Sequence, residues 1–249
     1  MSQLTRRTAV GIAATVALAS GAAAAPTKNA AIKPELIAII GTGNVGAALG
    51  KRWGALGHKV VYGSRTPEAE KTKLLARDSG RTATAMAPRD AVKDATVVVL
   101  AVPAQAALET VAGLGDLKGK VIIDAMNEMS IENGKLIEPS NPAALSARIQ
   151  AMAPDAQVVK ALNATSSRAM ADPAMTGGPI TIPIAGASAD AKAKVAALLK
   201  SIGLEAFDLG GADALKAVEH LGRVYVAYSA SHRPQRMEFG FRTWSSPPG

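Results

Sequence analysis

A glycine pattern near residue 40 carries the residue types and spacing in this sequence that most clearly predict chemistry. The stretch Gly41-Thr42-Gly43-Asn44-Val45-Gly46 has the form G-x-G-x-x-G. At a strand-to-helix turn the first glycine permits the tight turn, the second lets backbone approach a pyrophosphate, and the third lets the helix pack on the strand. The helix N-terminus offers N–H groups to the phosphates. The pattern therefore predicts dinucleotide binding; a glycine-rich turn without a ligand is the alternative.

The second chemical signal lies where a dinucleotide site recognises the adenosine ribose. An Asp or Glu about 20 residues after the glycines is typical of NAD binding, but the sequence here reads Tyr62-Gly63-Ser64-Arg65. A carboxylate would bind two ribose hydroxyls and repel a 2′-phosphate. Ser64 can donate to that phosphate, and Arg65 can pair with it and stack on adenine. These residues predict NADP(H) over NAD(H), with a solvated surface arginine as the alternative for Arg65.

Strands and helices alternate around these residues. An apolar strand over Leu36–Ile40 enters the glycine loop, and a helix leaves it and ends near Gly57, where we expect His58 to cap it. Further strands are predicted at Lys59–Tyr62, Ala95–Pro103, Lys120–Met126 and Ala156–Asn163. Helices are predicted from Thr66-Pro67 to Gly80 and over Pro88–Lys93, Ala104–Val111 and Pro142–Met152. This alternation predicts an α/β fold with a Rossmann-like doubly wound, mainly parallel sheet.

The character of the chain changes after Asn163. A loop-rich stretch, Ser166–Pro179, precedes the strand "ITIPIAG", a helix over Ala189–Ser201, the strand "EAFDLG" and an apolar helix from Ala212 to about Ser229. We interpret residues 35–170 as the NADP-binding Rossmann domain and residues 171–249 as a small β-α-β-α extension for substrate and dimer contacts. His220, in the last helix, is expected to be buried and structural.

Few side chains offer acid-base chemistry at the expected crevice. Hydride transfer mainly requires two rings to be positioned and water to be excluded, so it needs no acid from the protein. The catalytic candidates follow two predicted strands at their carboxyl ends, where doubly wound sheets bind ligands: Asn127, Asn163 and Ser166. For any single one of them, a loop-capping role is the alternative.

Composition excludes several other classes. The 249 residues are 48% hydrophobic but only 3% aromatic, which predicts an aliphatic core of helices on a parallel sheet. The formal net charge of +8 comes without a Lys/Arg run, so we predict no nucleic-acid partner. The chain has no cysteine, which excludes disulfides and thiolate catalysis. Its three histidines are far apart, so no metal site is predicted.

The first residues are typical of an export leader. Arg6-Arg7, a short apolar stretch and Ala22-Ala23-Ala24 predict a signal peptide over residues 1–25 of the twin-arginine type, with a linker over residues 26–34. The apolar stretch is too short for a stable membrane anchor. We therefore expect an exported, periplasmic protein. The general secretory pathway is an alternative route, and a cytoplasmic protein with an Ala-rich tail is an alternative location.

The order of five segments resembles a known family. "IAIIGTGNVG", "VVYGSRTP", "VVVLAVP", "VIIDAMN" and "VVKALN" are similar to the NADPH-dependent coenzyme F-420 reductases, which are related to the NADP-binding domain of pyrroline-5-carboxylate reductases. The resemblance runs from about Ile37 to Trp244 and includes "TIPIAGASADAKAKVAALLKSIGLEAFDLGGADAL" and "MEFGFRTW". It implies a Rossmann-like fold, a homodimer, and hydride transfer between NADPH and a small acceptor such as coenzyme F-420 or a flavin.

The same resemblance implies roles by position. Thr42, Gly43, Asn44 and Val45 would line the pyrophosphate, Ser64 and Arg65 would hold the 2′-phosphate, and Ala101, Val102 and Pro103 would lie by the cofactor. Two features depart from the family pattern: the nearest lysine after Arg65 is Lys71, and Asn163 stands where some members have a histidine.

Two other functions are weighed against this one. A pyrroline-5-carboxylate or imine reductase needs a long helical dimerisation domain, and this chain has room for only one long helix after Ala212. A non-catalytic exported NADP-binding module is the second alternative, because NADPH is scarce outside the cytoplasm. The acceptor itself stays open, since coenzyme F-420 is chiefly cytoplasmic.

Overall fold

Ten short strands and eight helices make up the computed structural model, which describes residues 33–132, 135–232 and 240–243. The strands are β1 Leu36–Ile40, β2 Lys59–Gly63, β3 Thr84–Met86, β4 Val97–Leu100, β5 Val121–Asp124, β6 Ser130–Glu132, β7 Lys135–Ile137, β8 Gln157–Lys160, β9 Ile180–Ile184 and β10 Leu204–Asp208. The helices are α1 Asn44–Ala55, α2 Glu70–Asp78, α3 Pro88–Ala91, α4 Ala107–Gly113, α5 Leu145–Met152, α6 Ser167–Ala171, α7 Ala189–Ser201 and α8 Leu215–Ser231.

The central sheet has the strand order β3-β2-β1-β4-β5-β8, and every neighbouring pair is parallel. The direction of winding reverses between β1 and β4, and doubly wound sheets bind ligands outside the carboxyl ends of the strands at such a switch point. The predicted fold class is confirmed. The edge formed by the carboxyl ends of these six strands is called the carboxyl edge below.

Helices cover both faces of the sheet. Successive side chains of a strand point to opposite faces, so Ile37 and Ile39 pack under α1, α2, α6 and α7, whereas Ala38 and Ile40 pack under α3, α4 and α5. All four of these β1 side chains are buried. Burial on both faces explains why the strands are continuous apolar runs rather than alternating ones.

The segment after β8 shares the core of the sheet. The strands β9 and β10 form a parallel pair, and Lys160 and Ala185 exchange backbone hydrogen bonds of 2.9 and 3.2 Å between β8 and the end of β9. Trp53 Nε1 donates to the Leu198 carbonyl at 3.1 Å, which fastens α7 to α1. The predicted boundary at residue 170 falls inside α6, and β9, α7 and β10 contribute to the same apolar cluster as β1.

Several predicted element bounds are wrong. The helix after β2 begins at Glu70, not at Thr66-Pro67, because the Ser64 hydroxyl accepts the Thr66 amide at 3.1 Å and holds a turn there. The strands predicted over Ala95–Pro103, Lys120–Met126 and Ala156–Asn163 are each trimmed to four residues. The sequence pattern missed β3 and the antiparallel hairpin β6–β7, which are three-residue strands, and missed α6 in the stretch expected to be a loop.

Two histidine predictions are also wrong. His58 does not cap α1 with its side chain: its Nδ1 accepts the Glu35 amide at 3.1 Å, and the ring is 2% exposed between the first residues of β1 and β2. Burial lowers the pKa of this imidazole below its ordinary value of 6.5, although Glu35 acts in the opposite direction. His220 is exposed, because the buried face of α8 is formed by other residues: Leu215, Val218, Glu219, Gly222 and Tyr225.

The predicted leader, residues 1–25, lies outside the described residues. Within the described ranges no helix is both long and apolar enough to span a bilayer.

Candidate functional site

The glycine loop is held tightly between β1 and β4. Gly41 has φ +121°, which favours glycine, and a Cβ there would lie 2.3 Å from the Ala101 carbonyl oxygen. A Cβ on Gly46 would lie 2.2 Å from the Gly41 carbonyl oxygen, so α1 passes directly against the turn. The two outer glycines of the pattern are therefore required by the protein's own packing.

The middle glycine has a different environment. A Cβ on Gly43 would meet nothing within 4 Å, and its φ of −76° suits any residue. Gly43 is the N-cap of α1, and no side chain caps this helix. The first N–H groups of the helix thus face open space beside a position without a side chain, which fits a bound pyrophosphate.

Ser64 and Arg65 lie at the end of β2, one strand away from the loop. Ser64 is 8% exposed, and its Oγ accepts a hydrogen bond from the Thr66 amide. The hydroxyl hydrogen of Ser64 can therefore still be donated to another acceptor. Arg65 is exposed and has no hydrogen bond or ion pair with any described residue. An uncommitted guanidinium next to a buried hydroxyl fits a 2′-phosphate. Lys71 is exposed on the first turn of α2.

On the other side of the loop, the end of β4 is close to β1. The Ala101 amide donates to the Ile40 carbonyl at 2.9 Å, Ala101 and Val102 are half-buried, and Pro103 is exposed. These residues and the glycine loop lie side by side across the switch point. The nicotinamide half of a dinucleotide would pass over them.

Two asparagines meet where β5 and β8 end. Asn127 Nδ2 donates to the Asn163 carbonyl at 2.7 Å, and Asn163 Nδ2 donates to the Val218 carbonyl of α8 at 2.9 Å. Asn163 is 2% exposed, in the loop after β8 rather than within the strand. Gly222 of α8 lies on this pair, since a Cβ there would come within 2.3 Å of both side chains. The structure therefore brings two of the three catalytic candidates together.

Ser166, the third candidate, caps α6: its Oγ accepts the Ala169 amide at 3.1 Å. Ser166 also borders a cavity of about 350 Å³ beyond the carboxyl edge. Among the described residues, the lining of this cavity has three hydroxyl residues, two arginines and no acid; it includes Thr165, Ser166, Arg168, Thr176, Phe241 and Arg242. Since α6 packs on α1, this cavity lies on the glycine-loop side of the sheet. Another cavity, of about 380 Å³, lies at the opposite edge near Lys118 and Lys194.

Comparison with known proteins supports an NADP-dependent oxidoreductase family. Residues 36–128 match the family described as NADP oxidoreductase, coenzyme F-420-dependent. An F-420-dependent NADP reductase of Methanothermobacter thermautotrophicus is 39% identical over 97 residues, covering 36% of this chain and 41% of that protein. A solved structure from Arthrobacter, provisionally assigned as an F-420-dependent NADP reductase, is 29% identical with a TM-score of 0.75, covering 84% of this chain and 100% of that one.

The chain is therefore similar to the F-420 reductase-like, NADPH-dependent Rossmann proteins. A solved hypothetical protein from Sinorhizobium meliloti is also similar, at 30% identity and a TM-score of 0.64, covering 72% of this chain and 87% of that chain. The chain spans about two fifths of the length of the curated reductase it matches. The family match ends at residue 128, so Asn163, Ser166 and α8 lie beyond the matched residues.

A buried polar cluster behind the asparagine pair was not anticipated from the sequence. Lys160 and Asp124 are fully buried and 3.1 Å apart, and Lys160 Nζ also donates to the Met126 carbonyl at 2.5 Å. Asp124 also accepts the Ser146 hydroxyl at 2.6 Å, and Glu219 accepts the Leu145 amide at 2.7 Å. Burial raises the pKa of Glu219 above its ordinary value, against the opposing effect of Lys160, whose Nζ is 4.0 Å away.

This cluster ties α5 and α8 to the carboxyl edge directly behind Asn127 and Asn163. In the sequence, this cluster was indicated by a charged residue at the end of each of two apolar strands, Asp124 in "VIID" and Lys160 in "VVK". Charged groups are almost never fully buried unless they are paired. That rule could have linked Asp124 to Lys160 before the structure was known. Among the described residues no group of three or more His, Asp or Glu side chains could hold a metal ion.

Proposed function

We propose that this protein is an NADP(H)-dependent oxidoreductase that transfers a hydride between NADPH and a small acceptor of the deazaflavin or flavin type. The observation that carries this proposal is the switch point itself. Gly43 is open, Arg65 is uncommitted at the end of β2, and the end of β4 lies on the other side. Similarity to the F-420-dependent NADP oxidoreductases supports both the cofactor and the reaction class.

The residues of this chain would bind and orient the reactants. NADPH, when bound, supplies the hydride. The amides at the start of α1 would hold its pyrophosphate, and Ser64 and Arg65 its 2′-phosphate. Ala101, Val102 and Pro103 would support the nicotinamide side. The asparagine pair and α8 would exclude water behind it, so that the rate arises from placement rather than from an acid or base.

The acceptor would enter from the cavity beside α6. Arg168, Arg242 and the hydroxyl of Thr165 give this cavity a positive, hydrogen-bonding lining, and Ile180 and Phe241 add apolar surface. A planar ring with a polar or anionic substituent fits such a lining. The choice between coenzyme F-420, a flavin and another small acceptor rests on assay.

The first experiment measures binding of NADPH and NADH to the protein and to Arg65→Ala. A charge-assisted hydrogen bond contributes ~1.5–3 kcal/mol, so the Kd for NADPH should rise roughly 10- to 100-fold, while the Kd for NADH stays the same. The matched control is Arg81→Ala, another exposed arginine without a partner among the described residues, which precedes β3 at the opposite edge. Absence of binding by either nucleotide would refute the proposal.

An acceptor screen then separates an enzyme from a non-catalytic module. NADPH oxidation is followed with a deazaflavin, riboflavin and flavin mononucleotide as acceptors. Turnover with any of them supports hydride transfer. Tight NADPH binding without turnover for any acceptor, including small imines, favours the binding module.

We also propose that the protein is exported to the periplasm and acts as a homodimer. The leader pattern of Arg6-Arg7 and Ala22-Ala23-Ala24 supports export. The resemblance to the F-420 reductases supports the homodimer. Sedimentation equilibrium of the purified protein tests the dimer, since a monomer at micromolar concentration would contradict it.

A further inference from the structure

Two acceptor atoms in the loops after β5 and β8, Glu128 Oε2 and Asn163 Oδ1, are buried without a hydrogen-bond partner among the described residues. The Asn163 side chain is 2% exposed, and its Oδ1 meets no donor among the described residues. Its Nδ2 lies 2.9 Å from the Val218 carbonyl and 3.4 Å from Asn127 Oδ1. Both of these neighbours are acceptors, so the amide nitrogen must face them. The oxygen is therefore directed away from α8.

The surroundings prevent this amide from satisfying itself. Asn127 Nδ2 fixes the Asn163 backbone carbonyl at 2.7 Å, and Gly222 of α8 is packed against the amide edge. Rotation of the Asn163 amide would place its oxygen against the Val218 carbonyl. Buried acceptors without a partner are uncommon and costly, and a ligand is one of the recognised reasons for them. The fold thus holds a fixed, buried acceptor that no donor among the described residues satisfies.

The position of Asn163 indicates which donor this is. If the pyrophosphate lies over the end of β1 and the adenosine over β2, the other half of the cofactor passes over β4 toward β5. From β1 to β5 is two strand spacings, or ~10 Å. Asn163 and its partner Asn127 stand at the ends of β8 and β5, at the far end of that path. The carboxamide NH₂ at the distal end of the nicotinamide is the N–H donor that the cofactor carries there.

We propose that Asn163 Oδ1 accepts a hydrogen bond from the nicotinamide carboxamide and so fixes the orientation of the ring. This inference rests on the proposed function, because it requires the NADP site. It makes Asn163 a positioning residue that holds the ring through its amide substituent. Asn127, Gly222 and the Lys160 cluster behind them keep that acceptor rigid.

The test is calorimetric binding of NADP⁺ and of its 3-acetylpyridine analogue, in which an acetyl group replaces the carboxamide and removes the NH₂ donor. A site built around a buried acceptor discriminates against a ligand that cannot donate to it. Unaltered protein should bind the analogue about tenfold more weakly than NADP⁺. This arm needs no variant and holds even if a substitution unfolds the chain.

Asn163→Ala should weaken NADP⁺ binding and reduce the ratio of the two dissociation constants to about 1. A purely structural role for Asn163 would weaken both ligands alike and keep the ratio. Arg65→Ala is the matched control, because it should weaken both ligands through the shared 2′-phosphate and leave the ratio unchanged. Equal binding of both ligands to unaltered protein would overturn this inference and leave the proposed function standing. Binding of neither would overturn the proposed function first.

Discussion

At the scale of single residues, the glycine loop separates requirements of the fold from requirements of the ligand. Gly41 and Gly46 are constrained by backbone oxygens 2.3 and 2.2 Å from where a Cβ would stand. Gly43 has no such neighbour. The three glycines look equivalent in the sequence, but only the outer two are needed for the protein to pack. We attribute the middle one to the proposed pyrophosphate contact.

Gly43→Ala and Gly46→Ala should therefore fail in different ways. Gly43→Ala should retain its melting temperature but lose tenfold or more in NADPH affinity, because the new methyl group occupies the space of the phosphates. Gly46→Ala should lose about 1–3 kcal/mol of unfolding free energy, because α1 must shift away from the turn. Thermal unfolding and NADPH titration measure the two effects.

The control for this pair is Gly113→Ala at the end of α4, where a Cβ also meets nothing within 4 Å. It should change neither quantity. If Gly43→Ala bound NADPH as tightly as the unaltered protein, the pyrophosphate would have to lie elsewhere.

His58 is expected to make stability depend on pH. Its folded-state pKa lies below the ordinary 6.5, so the neutral ring is the form that the fold stabilises. The contribution of His58 is complete above pH 6.5 and is lost as the pH falls through the folded-state pKa. Protonation also removes the acceptor of the Glu35 amide.

Urea unfolding at a series of pH values between neutral and mildly acidic should show this loss. His58→Asn keeps an acceptor near the position of Nδ1 but does not titrate, so the slope in that window should flatten. An unchanged slope in the variant would assign the pH dependence to other groups.

At the scale of elements, a buried charged cluster adds to the apolar contacts that hold α5 and α8 against the sheet. Lys160 lies between Asp124 and Glu219, and these carboxylates also bind the Ser146 hydroxyl and the Leu145 amide at the start of α5. The pair Lys160–Asp124 is fully buried. Loss of one partner would leave a buried charge uncompensated, which costs much more than loss of an exposed pair.

Lys160→Met is predicted to lower the free energy of unfolding by about 3–5 kcal/mol. The double variant Lys160→Met, Asp124→Asn should lose less unfolding free energy than the two single variants together, because it no longer contains an unpaired buried carboxylate. Urea unfolding of the four proteins gives the coupling energy. Lys73→Ala, which breaks the exposed Lys73–Glu68 pair, is the control and should cost at most about 1 kcal/mol. Additive losses would argue against a coupled cluster.

At the scale of the whole molecule, the nucleotide-binding half and the C-terminal segment share one core. Ile182, Leu198 and Leu204 pack in the same cluster as Ile39 and Trp53. The cavity beside α6 is lined from both parts of the chain, by residues that include Thr165 and Phe241. The segment after residue 170 therefore helps to form this cavity as well as the core.

The proposed export is also a property of the whole chain and is tested in the cell. Arg6→Lys combined with Arg7→Lys should retain the protein in the cytoplasm if the twin-arginine route carries it. Fractionation and immunoblotting of an expressing bacterium measure the periplasmic share. Unchanged export of the double variant would indicate the general secretory pathway, and no export of the unaltered protein would contradict the proposal.

Much of the fold could be predicted because it depends on local patterns. Long apolar runs such as "VVVL" indicated strands, and glycines marked the ends of the helices between them. Strands that alternate with helices in this way favour a parallel sheet and leave few possible topologies. Three-residue strands such as β3 and β6 could not be predicted, because their pattern is too short to be distinguished from a turn. The helix predicted to begin at Thr66-Pro67 begins later, because the Ser64 hydroxyl accepts the Thr66 amide and holds a turn there.

The sequence by itself determined the α/β class, the glycine loop and the preference expected from Ser64 and Arg65, since each depends on residues adjacent along the chain. Only the tertiary structure decided that Gly43 is open while Gly46 is not, that Lys160 neutralises Asp124, and that the Asn163 amide oxygen is buried without a partner in the part of the chain that the structure describes. These facts depend on contacts between residues as far apart as Asn163 and Val218, 55 positions along the chain. Such contacts arise only when β5, β8 and α8 are packed together, so no local pattern encodes them.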